Sequence, residues 1–357
     1  MNPEPFRLVP QFVPRIWGAR SLAPLYPDQS NLAEPIGEAW LTSVDCRIAT
    51  GPFAGKALGA AWKEMPAAWR GSLFAQAGNF PLLLKFLFPA EKLSIQVHPG
   101  DAYAARHEQA AGGRGKTEMW HVLSAEPDAS VLIGLKPGVT PGQFRSALAS
   151  EKVEDLFTKY SVQPGSTFFI PAGTPHTIGP GMVLCEVQEY SDITYRVYDY
   201  GRLDSAGKPR ELHIEKALDV MKFSPAASSQ PSPLRFPAPD PETDFLRSIL
   251  VACRYFAIER LDTSHPTLLP GYGDQFSLCV FLSGSGHLEF PGGELPYRNG
   301  ECWFIPASQE QAQEEFILLP AEKTAMLSVH VPDLPGLRAV LKEVGFSEEA
   351  LSRAIFD

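Results

Sequence analysis

Prolines and glycines interrupt this chain at short intervals along its whole length, and their spacing limits what it can fold into. The 357 residues include 34 prolines and 29 glycines, and the apolar segments between them are short. Such segments, bounded by turn-forming residues, are typical of β-strands, because the interior of a long helix tolerates neither residue well. The sequence therefore predicts a mainly β fold of many short strands, with a few flanking helices.

Apolar runs predict strands in both halves of the chain. They cover residues 81–88, 92–98, 118–123, 130–135, 167–170 and 182–190, and then 249–261, 276–282, 286–290, 301–305 and 324–331. Segment 162–173 (VQPGSTFFIPAG) resembles segment 299–307 (NGECWFIPA), because both join a glycine turn to an aromatic strand that ends in Ile-Pro-Ala. This weak internal repeat predicts two related β-barrels.

Helix signals are fewer and fall between the strands. Residues 140–143 (TPGQ) have the Thr, Pro and Gln of a capped helix start, and apolar residues recur at helical spacing over 153–160. Further helices are predicted at 59–80, at 211–223 and, as two short ones, after residue 335.

One segment differs in composition and divides the chain. Residues 224–243 are rich in Pro, Ser and Ala and have almost no apolar periodicity, which predicts an extended linker. The predicted domains are therefore a first barrel at 1–223, a second barrel at 244–332 and a helical tail at 333–357.

Charge and cysteine usage narrow the function. Lys and Arg number 31 against 41 Asp and Glu, a net charge of −10, and no basic run offsets the acidic excess, so we expect no nucleic-acid partner. An anionic substrate would need a locally basic site. The N-terminus resembles no signal peptide, and no apolar run approaches the roughly 18 residues of a membrane span. Five scattered cysteines without a CxxC pair predict a reduced, cytoplasmic protein.

Residues able to bind a metal occur on three of the predicted strands or their ends. Strict alternation over 93–98 places Ser94, Gln96 and His98 on one strand face. Glu118 begins another strand, and His176 lies in a Pro- and Gly-bounded turn. Each residue alone is more often structural. Two histidines and a carboxylate from separate strands, however, commonly bind Zn²⁺ or Fe²⁺ with open coordination positions, and Gln96 could add a neutral oxygen.

Basic side chains accompany this set. Lys116 lies two residues before Glu118, and an extended backbone over 186–202 would place Thr194, Arg196 and Tyr198 on one face. Arg196 could be structural, paired with Asp199. Alternatively, its guanidinium group lies beside the metal and holds a phosphate or an enediolate oxygen.

Five segments of the chain, in this order, resemble the type I mannose-6-phosphate isomerases in their shorter bacterial form. The resemblance covers residues 15–220, and the upstream segments IWGARSLAPLY and PIGEAWLTS share it. The five segments are FPLLLKFLFPAEKLSIQVHPGD, GKTEMWHVL, PGSTFFIPAGTPHTI, EVQEYSDITYRVYDYGR and ELHIEKALDV.

This resemblance implies a cupin barrel with one Zn²⁺ per chain, and together with the internal repeat it predicts two cupin-like jelly-roll barrels. The implied zinc ligands are Gln96, His98, Glu118 and His176. Arg196 is then the catalytic arginine, Lys116 and Ser94 lie in the substrate pocket, and Glu186 also falls on a position of the family's site. The second barrel is expected to be metal-free, because His265 and His287 stand alone in the sequence.

The implied reaction interconverts mannose 6-phosphate and fructose 6-phosphate through a cis-enediol. Glu186, Lys116 and a zinc-bound water are each chemically admissible as the base, while Glu38 is interpreted as structural. Two alternatives stay open. A non-haem iron oxygenase could use the same two histidines and carboxylate, but it leaves the basic residues without a purpose. A non-catalytic cupin that binds a sugar phosphate would not require an intact metal set. Either a monomer or a homodimer is compatible with the sequence.

Overall fold

The computed structural model describes residues 3–76, 78–204, 207–224, 230–237, 244–272, 274–307 and 316–357. In chain order its strands are β1 (Phe6–Leu8), β2 (Gln11–Ala19), β3 (Ile36–Trp40), β4 (Leu82–Leu87), β5 (Ile95–Val97), β6 (Glu118–Ala125), β7 (Ser130–Leu135), β8 (Phe157–Ser161), β9 (Thr167–Ile170), β10 (His176–Ile178), β11 (Met182–Glu189), β12 (Tyr195–Tyr198), β13 (Leu234–Arg235), β14 (Leu246–Ala252), β15 (Ala257–Thr263), β16 (Thr267–Leu268), β17 (Ser277–Ser283), β18 (Ser285–Phe290), β19 (Gly293–Arg298), β20 (Cys302–Ile305), β21 (Ile317–Pro320) and β22 (Thr324–His330). Its α-helices are α1 (Leu58–Glu64), α2 (Ala67–Arg70), α3 (Asp101–His107), α4 (Pro141–Ala149), α5 (Ile214–Val220), α6 (Leu334–Val344) and α7 (Glu348–Ser352). The predicted mainly β fold with a few flanking helices is confirmed.

The strands pair antiparallel in two groups of sheets. In the first half of the chain, a six-stranded sheet has the order β2-β3-β4-β11-β6-β9 and a five-stranded sheet has the order β12-β5-β10-β7-β8. In the second half, a seven-stranded sheet has the order β1-β20-β17-β22-β15-β14-β13 and a four-stranded sheet has the order β16-β21-β18-β19.

Each pair of sheets encloses an apolar interior. In the first half, Trp120 of the six-stranded sheet and Ile133 of the five-stranded sheet belong to one buried cluster. In the second half, Phe281 and Leu288 connect the seven- and four-stranded sheets in the same way. Two antiparallel sheets packed face to face are the architecture expected of a jelly roll.

The largest apolar cluster joins the two halves. It includes Leu84 and Val187, from the six-stranded sheet, together with Val280 and Leu327, from the seven-stranded sheet. Both sheets are therefore covered on both faces. In addition, the N-terminal strand β1 pairs with β20 of the second half. The predicted first domain, residues 1–223, therefore includes one strand of the seven-stranded sheet.

Two local predictions are wrong. The spacing over 153–160 predicts a helix, but the structure has a 3-10 turn at Val153–Leu156 followed by β8, because pairing with β7 satisfies the backbone there. Residues 249–261 are not one strand but parts of β14 and β15, which form an antiparallel pair. The turn between them contains Arg254 and Tyr255, and neither is a strong turn signal.

The predicted helix start at Thr140 is confirmed, since its side chain and that of Gln143 form a reciprocal capping box at α4. Part of the predicted linker, including 225–229 and 238–243, lies outside the described residues. Within the described part, β13 pairs with β14, so the linker boundaries stay a prediction. The tail forms α6 and α7, as predicted, and packs its Leu341 and Leu351 on Ile249.

Among the described residues, no helix combines the length and the apolar character needed to cross a membrane.

Candidate metal centre and active-site pocket

Three of the predicted metal ligands converge between the two sheets of the first half. His98 follows β5, His176 begins β10 and Glu118 begins β6. Nε2 of His98 lies 3.5 Å from Glu118 Oε2, and Nε2 of His176 lies 3.3 Å from Glu118 Oε1. All three side chains are buried, and one ligand atom from each lies within 4.8 Å of the others. In the described part of the chain, this is the one such group of His, Cys, Asp or Glu.

The histidines are oriented as ligands. Nδ1 of His98 lies 2.8 Å from the Ile193 carbonyl oxygen, and Nδ1 of His176 lies 2.8 Å from the Thr174 carbonyl oxygen. A protonated Nδ1 that donates to a carbonyl leaves the Nε2 lone pair free to coordinate a metal. Burial lowers the pKa of His98 well below its ordinary value and the pKa of His176 to about 4, so both rings are neutral at pH 7.

Three buried polar atoms of this group lack hydrogen bonds. Nε2 of His98 and both carboxylate oxygens of Glu118 are buried without a hydrogen-bond partner. Burying a carboxylate without hydrogen bonds is costly. The nearby Lys116 ammonium group offsets part of that cost, and a divalent cation bound by these atoms would offset more of it. The donor set of imidazole and carboxylate suits zinc.

Gln96 and Arg196 stand beside these ligands. On β5, Gln96 is the register partner of His176 on β10 and of Arg196 on β12. Its amide nitrogen lies 3.4 Å from His176 Nε2. A rotation of the amide by 180° would present the oxygen instead, as a zinc ligand requires.

A pocket of about 360 Å³ opens beside this group, and its walls are basic. Five cationic and three acidic side chains contribute to it, against the acidic excess of the whole chain. The cations are Arg15, Lys85, Lys116, Arg196 and Arg210, and the carboxylates are Glu38, Glu186 and Asp192. Ser94, Gln96 and Thr194 also line it. The pocket can therefore accept a small anion.

Lys116 and Glu186 lie between the ligands and the pocket. Nζ of Lys116 is 3.0 Å from Glu118 Oε2. Glu186 accepts a hydrogen bond of 3.1 Å from Trp120 Nε1, and burial raises the pKa of its carboxyl group. A carboxyl group with a raised pKa is a stronger proton acceptor than an ordinary carboxylate.

Lys85 is a pocket residue that the sequence reasoning missed. Its side chain is only 2% exposed, and Nζ lies 2.9 Å from Asp192, 3.7 Å from Glu186 and 3.8 Å from Glu38. Burial alone would lower the pKa of Lys85, but these three carboxylates raise it overall. The sequence contained a signal, namely a lysine within the apolar run of β4, where an unpaired charge would be costly.

Glu38, interpreted as structural from the sequence, lines the pocket as well. Arg15 holds it with two hydrogen bonds of 3.0 and 3.1 Å, from Nε and Nη2, and Trp40 Nε1 also donates to it. The fork of Arg15 is thereby fixed at the pocket wall.

Arg196 has no ion pair with Asp199. That carboxylate instead accepts hydrogen bonds from Arg202 and Arg210. Nη1 of Arg196 donates to the Glu211 carbonyl oxygen at 3.0 Å, while its buried Nε has no hydrogen-bond partner. Burial lowers the pKa of Arg196, and Arg210 adds to this effect. Tyr198, expected on the same face, packs on Tyr200 instead.

The structure thus brings all the predicted site residues together, and it adds Lys85, Arg15, Arg210, Glu38 and Asp192. The first three are cations from separate segments of the chain, and proximity in the sequence could not connect them.

Comparison with known proteins agrees with this site. The family model for the catalytic domain of type I phosphomannose isomerase matches residues 6–120. Mannose-6-phosphate isomerase ManA of Bacillus subtilis (strain 168) is 32% identical over 317 residues, which cover 86% of this chain and 94% of that protein. The crystal structure of the mannose 6-phosphate isomerase from Bacillus subtilis superposes with a TM-score of 0.80 at 29% identity, covering 91% of this chain and 99% of that one.

A second solved structure shares the fold at lower identity. It is a zinc-bound mannose 6-phosphate isomerase, 19% identical, with a TM-score of 0.68, and the match covers 92% of this chain and 99% of that chain.

Fold and site together define a protein of the cupin type with a candidate metal centre in its first half. The identity and coverage of the Bacillus relative decide the family. This chain belongs to the type I mannose-6-phosphate isomerases, and it is an aldose–ketose isomerase rather than an oxygenase or a sugar sensor.

Proposed function

We propose that this enzyme is zinc-dependent and interconverts mannose 6-phosphate and fructose 6-phosphate through a cis-enediol. Gln96, His98, Glu118 and His176 would hold one zinc ion per chain. The observation that carries this proposal is the buried set of imidazole and carboxylate atoms without hydrogen bonds, placed beside a basic pocket. The zinc-bound relative of the same fold supports the choice of metal.

When bound, zinc supplies Lewis-acid stabilisation of the adjacent oxygens on C1 and C2 of the open-chain sugar. The side chains of the protein supply the rest. After the sugar ring opens, one proton must move between C1 and C2 while negative charge collects on the enediolate.

Arg196 would stabilise that charge. Its buried Nε has no hydrogen-bond partner. Among the described residues no carboxylate forms an ion pair with its guanidinium group, since Asp199 is bonded to Arg202 and Arg210. A preorganised cation at the position where charge develops stabilises the transition state more than the ground state.

The substrate phosphate needs binding residues of its own. Arg15 and Arg210 both line the pocket. Glu38 holds Arg15 in one orientation, and Asp199 does the same for Arg210. We propose that the two arginines bind the phosphate and that Ser94 and Lys116 contact the sugar. Binding energy at the phosphate then fixes the pose of the reacting carbons.

Two groups can carry the proton, Glu186 and Lys116. Glu186→Gln and Lys116→Met distinguish them when fructose 6-phosphate is incubated in D₂O. The variant that lacks the base no longer exchanges the C1 proton with solvent, whereas a variant that lacks only a sugar contact exchanges it slowly.

The same solvent tests the whole proposal. We expect the zinc-loaded protein to convert fructose 6-phosphate to mannose 6-phosphate that carries deuterium at C2. Product without any deuterium would mean that the hydrogen passes from C1 to C2 without solvent exchange, by a hydride shift or through a shielded base, and would leave the cis-enediol unsupported. Full activity of metal-free protein would contradict zinc dependence.

A further inference from the structure

The second half of the chain contacts the region that leads into β6, where Lys116 precedes the strand and Glu118 begins it, although none of the described residues of that half lines the pocket. The contact is made by the turn between β14 and β15. The Tyr255 hydroxyl group donates a 2.6 Å hydrogen bond to Asp101 Oδ2, and Arg254 Nη2 donates to the same oxygen at 3.1 Å.

Asp101 also bonds the segment that leads into β6. Its other oxygen, Oδ1, accepts a hydrogen bond of 3.0 Å from the backbone N–H of Gly115, which directly precedes Lys116. Asp101 itself comes three residues after His98. The carboxylate therefore connects Tyr255 to the backbone next to the candidate active-site residues.

Backbone segments 99–101 and 115–116 are in direct contact. A Cβ atom at Gly115 would lie 2.6 Å from the backbone nitrogen of Asp101 and 2.8 Å from the carbonyl carbon of Gly100. Lys116 N–H also donates to the Pro99 carbonyl oxygen at 3.0 Å. A displacement of Asp101 is therefore transmitted to segment 115–118.

A second carboxyl group supports the same segment. Glu189 Oε1 accepts a 2.8 Å hydrogen bond from Thr117 N–H. Burial, followed by the neighbouring Asp101, raises the pKa of Glu189 to about 8. Burial alone would raise the pKa of Asp101, but hydrogen bonds from Tyr255 and Gly115 lower it overall. Asp101 is therefore the anion of the pair at neutral pH, and it needs its donors.

We propose that Tyr255 is a positioning residue for the isomerase reaction: its hydroxyl group, acting through Asp101, fixes segment 115–118 and thereby the side chains of Lys116 and Glu118. Tyr255 does not touch the pocket, so its effect is on geometry. Small misplacements of reacting groups reduce turnover strongly, by about a hundredfold for 1 Å. The proposal rests on the isomerase activity of the family and adds a role for the second half in that activity.

The test is Tyr255→Phe in the zinc-loaded full chain, which removes one hydroxyl group and keeps the ring. We expect kcat to fall about tenfold, the KM for fructose 6-phosphate to change less than twofold, and zinc to pass to a chelator faster than from the parent. Tyr103→Phe is the matched control, because Tyr103 and Tyr255 line one surface cleft, and the Tyr103 hydroxyl group donates to Asp219, at 3.3 Å, rather than to Asp101. It should leave all three quantities unchanged.

A double-mutant cycle separates positioning from general stability. Asp101→Ala should lower kcat by itself, and adding Tyr255→Phe should lower it no further, because the connecting carboxylate is already gone. If Asp101→Ala does not fold, Asp101→Asn replaces it. The amide nitrogen of asparagine cannot accept the hydrogen bond from Tyr255, while its amide oxygen can still accept the one from Gly115 N–H.

Three results would overturn the proposal. They are an unchanged kcat in Tyr255→Phe, a loss seen only in melting temperature, and additive losses in the cycle. An inactive parent protein would instead contradict the isomerase activity itself, so the two failures are distinguishable.

Discussion

Arg196 on β12 lies directly across from Gln96 on β5, and Gln96 lies directly across from His176 on β10. Cross-strand partners project from the same face of a sheet. Backbone pairing therefore places the guanidinium group next to the candidate zinc ligands, and Asp199, its alternative partner, is bound by Arg202 and Arg210. This arrangement supports a role for Arg196 at the reacting sugar.

Arg196→Lys tests that role. Lysine keeps the charge but loses the planar fork that can hold two oxygens. We expect a loss of roughly 3–4 kcal/mol in transition-state stabilisation, about a hundred- to thousandfold in kcat, with a much smaller change in KM. Steady-state kinetics measure both, and zinc content and melting temperature should match the parent's.

Arg202→Lys is the control, because that arginine bonds Asp199 and the Lys92 carbonyl oxygen rather than lining the pocket. It should leave kcat near the parent's value. A large rise in KM with normal kcat in Arg196→Lys would make Arg196 a phosphate anchor, and loss of stability alone would make it structural.

Metal content is the second prediction. Purified protein should carry about one zinc ion per chain, from the single ligand set, and His98→Ala should lose it together with turnover. Chelation should abolish turnover while far-UV circular dichroism stays near that of the parent, because the apolar clusters of both halves do not depend on the metal.

The matched control for metal content is the double variant His265→Ala/His287→Ala, which removes two histidines from the second half. It should retain the zinc. Loss of zinc from this variant would show that the metal site includes residues of the second half, and would contradict its assignment to the first half.

Lys85 provides a stability prediction. Lys85→Met leaves Glu38, Glu186 and Asp192 without their shared cation, and breaking a buried pair in this way costs about 3 kcal/mol. Urea unfolding at pH 7 measures the loss, which should shrink towards pH 4.5 as the carboxylates protonate. Lys92→Met, which removes an exposed pair with Glu154, should cost less than about 1 kcal/mol. Equal losses would contradict the prediction.

The fourth prediction concerns pH and the contact between the halves. His121 Nδ1 lies 2.9 Å from Thr167 Oγ1, and Nε2 lies 3.0 Å from Arg260 Nη1 of the second half. Burial, helped by Arg260, lowers the pKa of His121 to about 3. The unfolded chain takes up this proton below about pH 6.5, so stability is full above that pH and is lost as the pH falls.

From pH 6.5 to pH 5 this group alone should remove about 2 kcal/mol from the free energy of unfolding. His121→Asn should flatten the plot of that free energy against pH by up to about 1.4 kcal/mol per pH unit. Urea unfolding at pH 5, 6 and 7 provides the measurement. An unchanged slope would mean that the ring is already charged in the folded protein.

Local sequence patterns predicted most strand positions and which candidate ligands share a strand face. Alternation over 93–98 places Gln96 and His98 on one face, since the side-chain period of a strand is two, and β5 and β10 then bring them to His176. The capping box at Thr140 was predictable from the sequence as well, because its two side chains are only three residues apart. Both signals are local, and local backbone geometry alone decides them.

The ion pairs of the pocket, in contrast, depend on the tertiary structure. Lys85, Asp192 and Arg15 come from β4, from a loop and from β2, and no spacing rule connects residues so far apart in the chain. The same holds for Tyr255 and Asp101, which are 154 positions apart. These contacts depend on the apolar cluster that packs the six-stranded sheet on the seven-stranded one. Burial between sheets is non-directional, so the sequence pattern indicates that a face is buried but not which partner buries it.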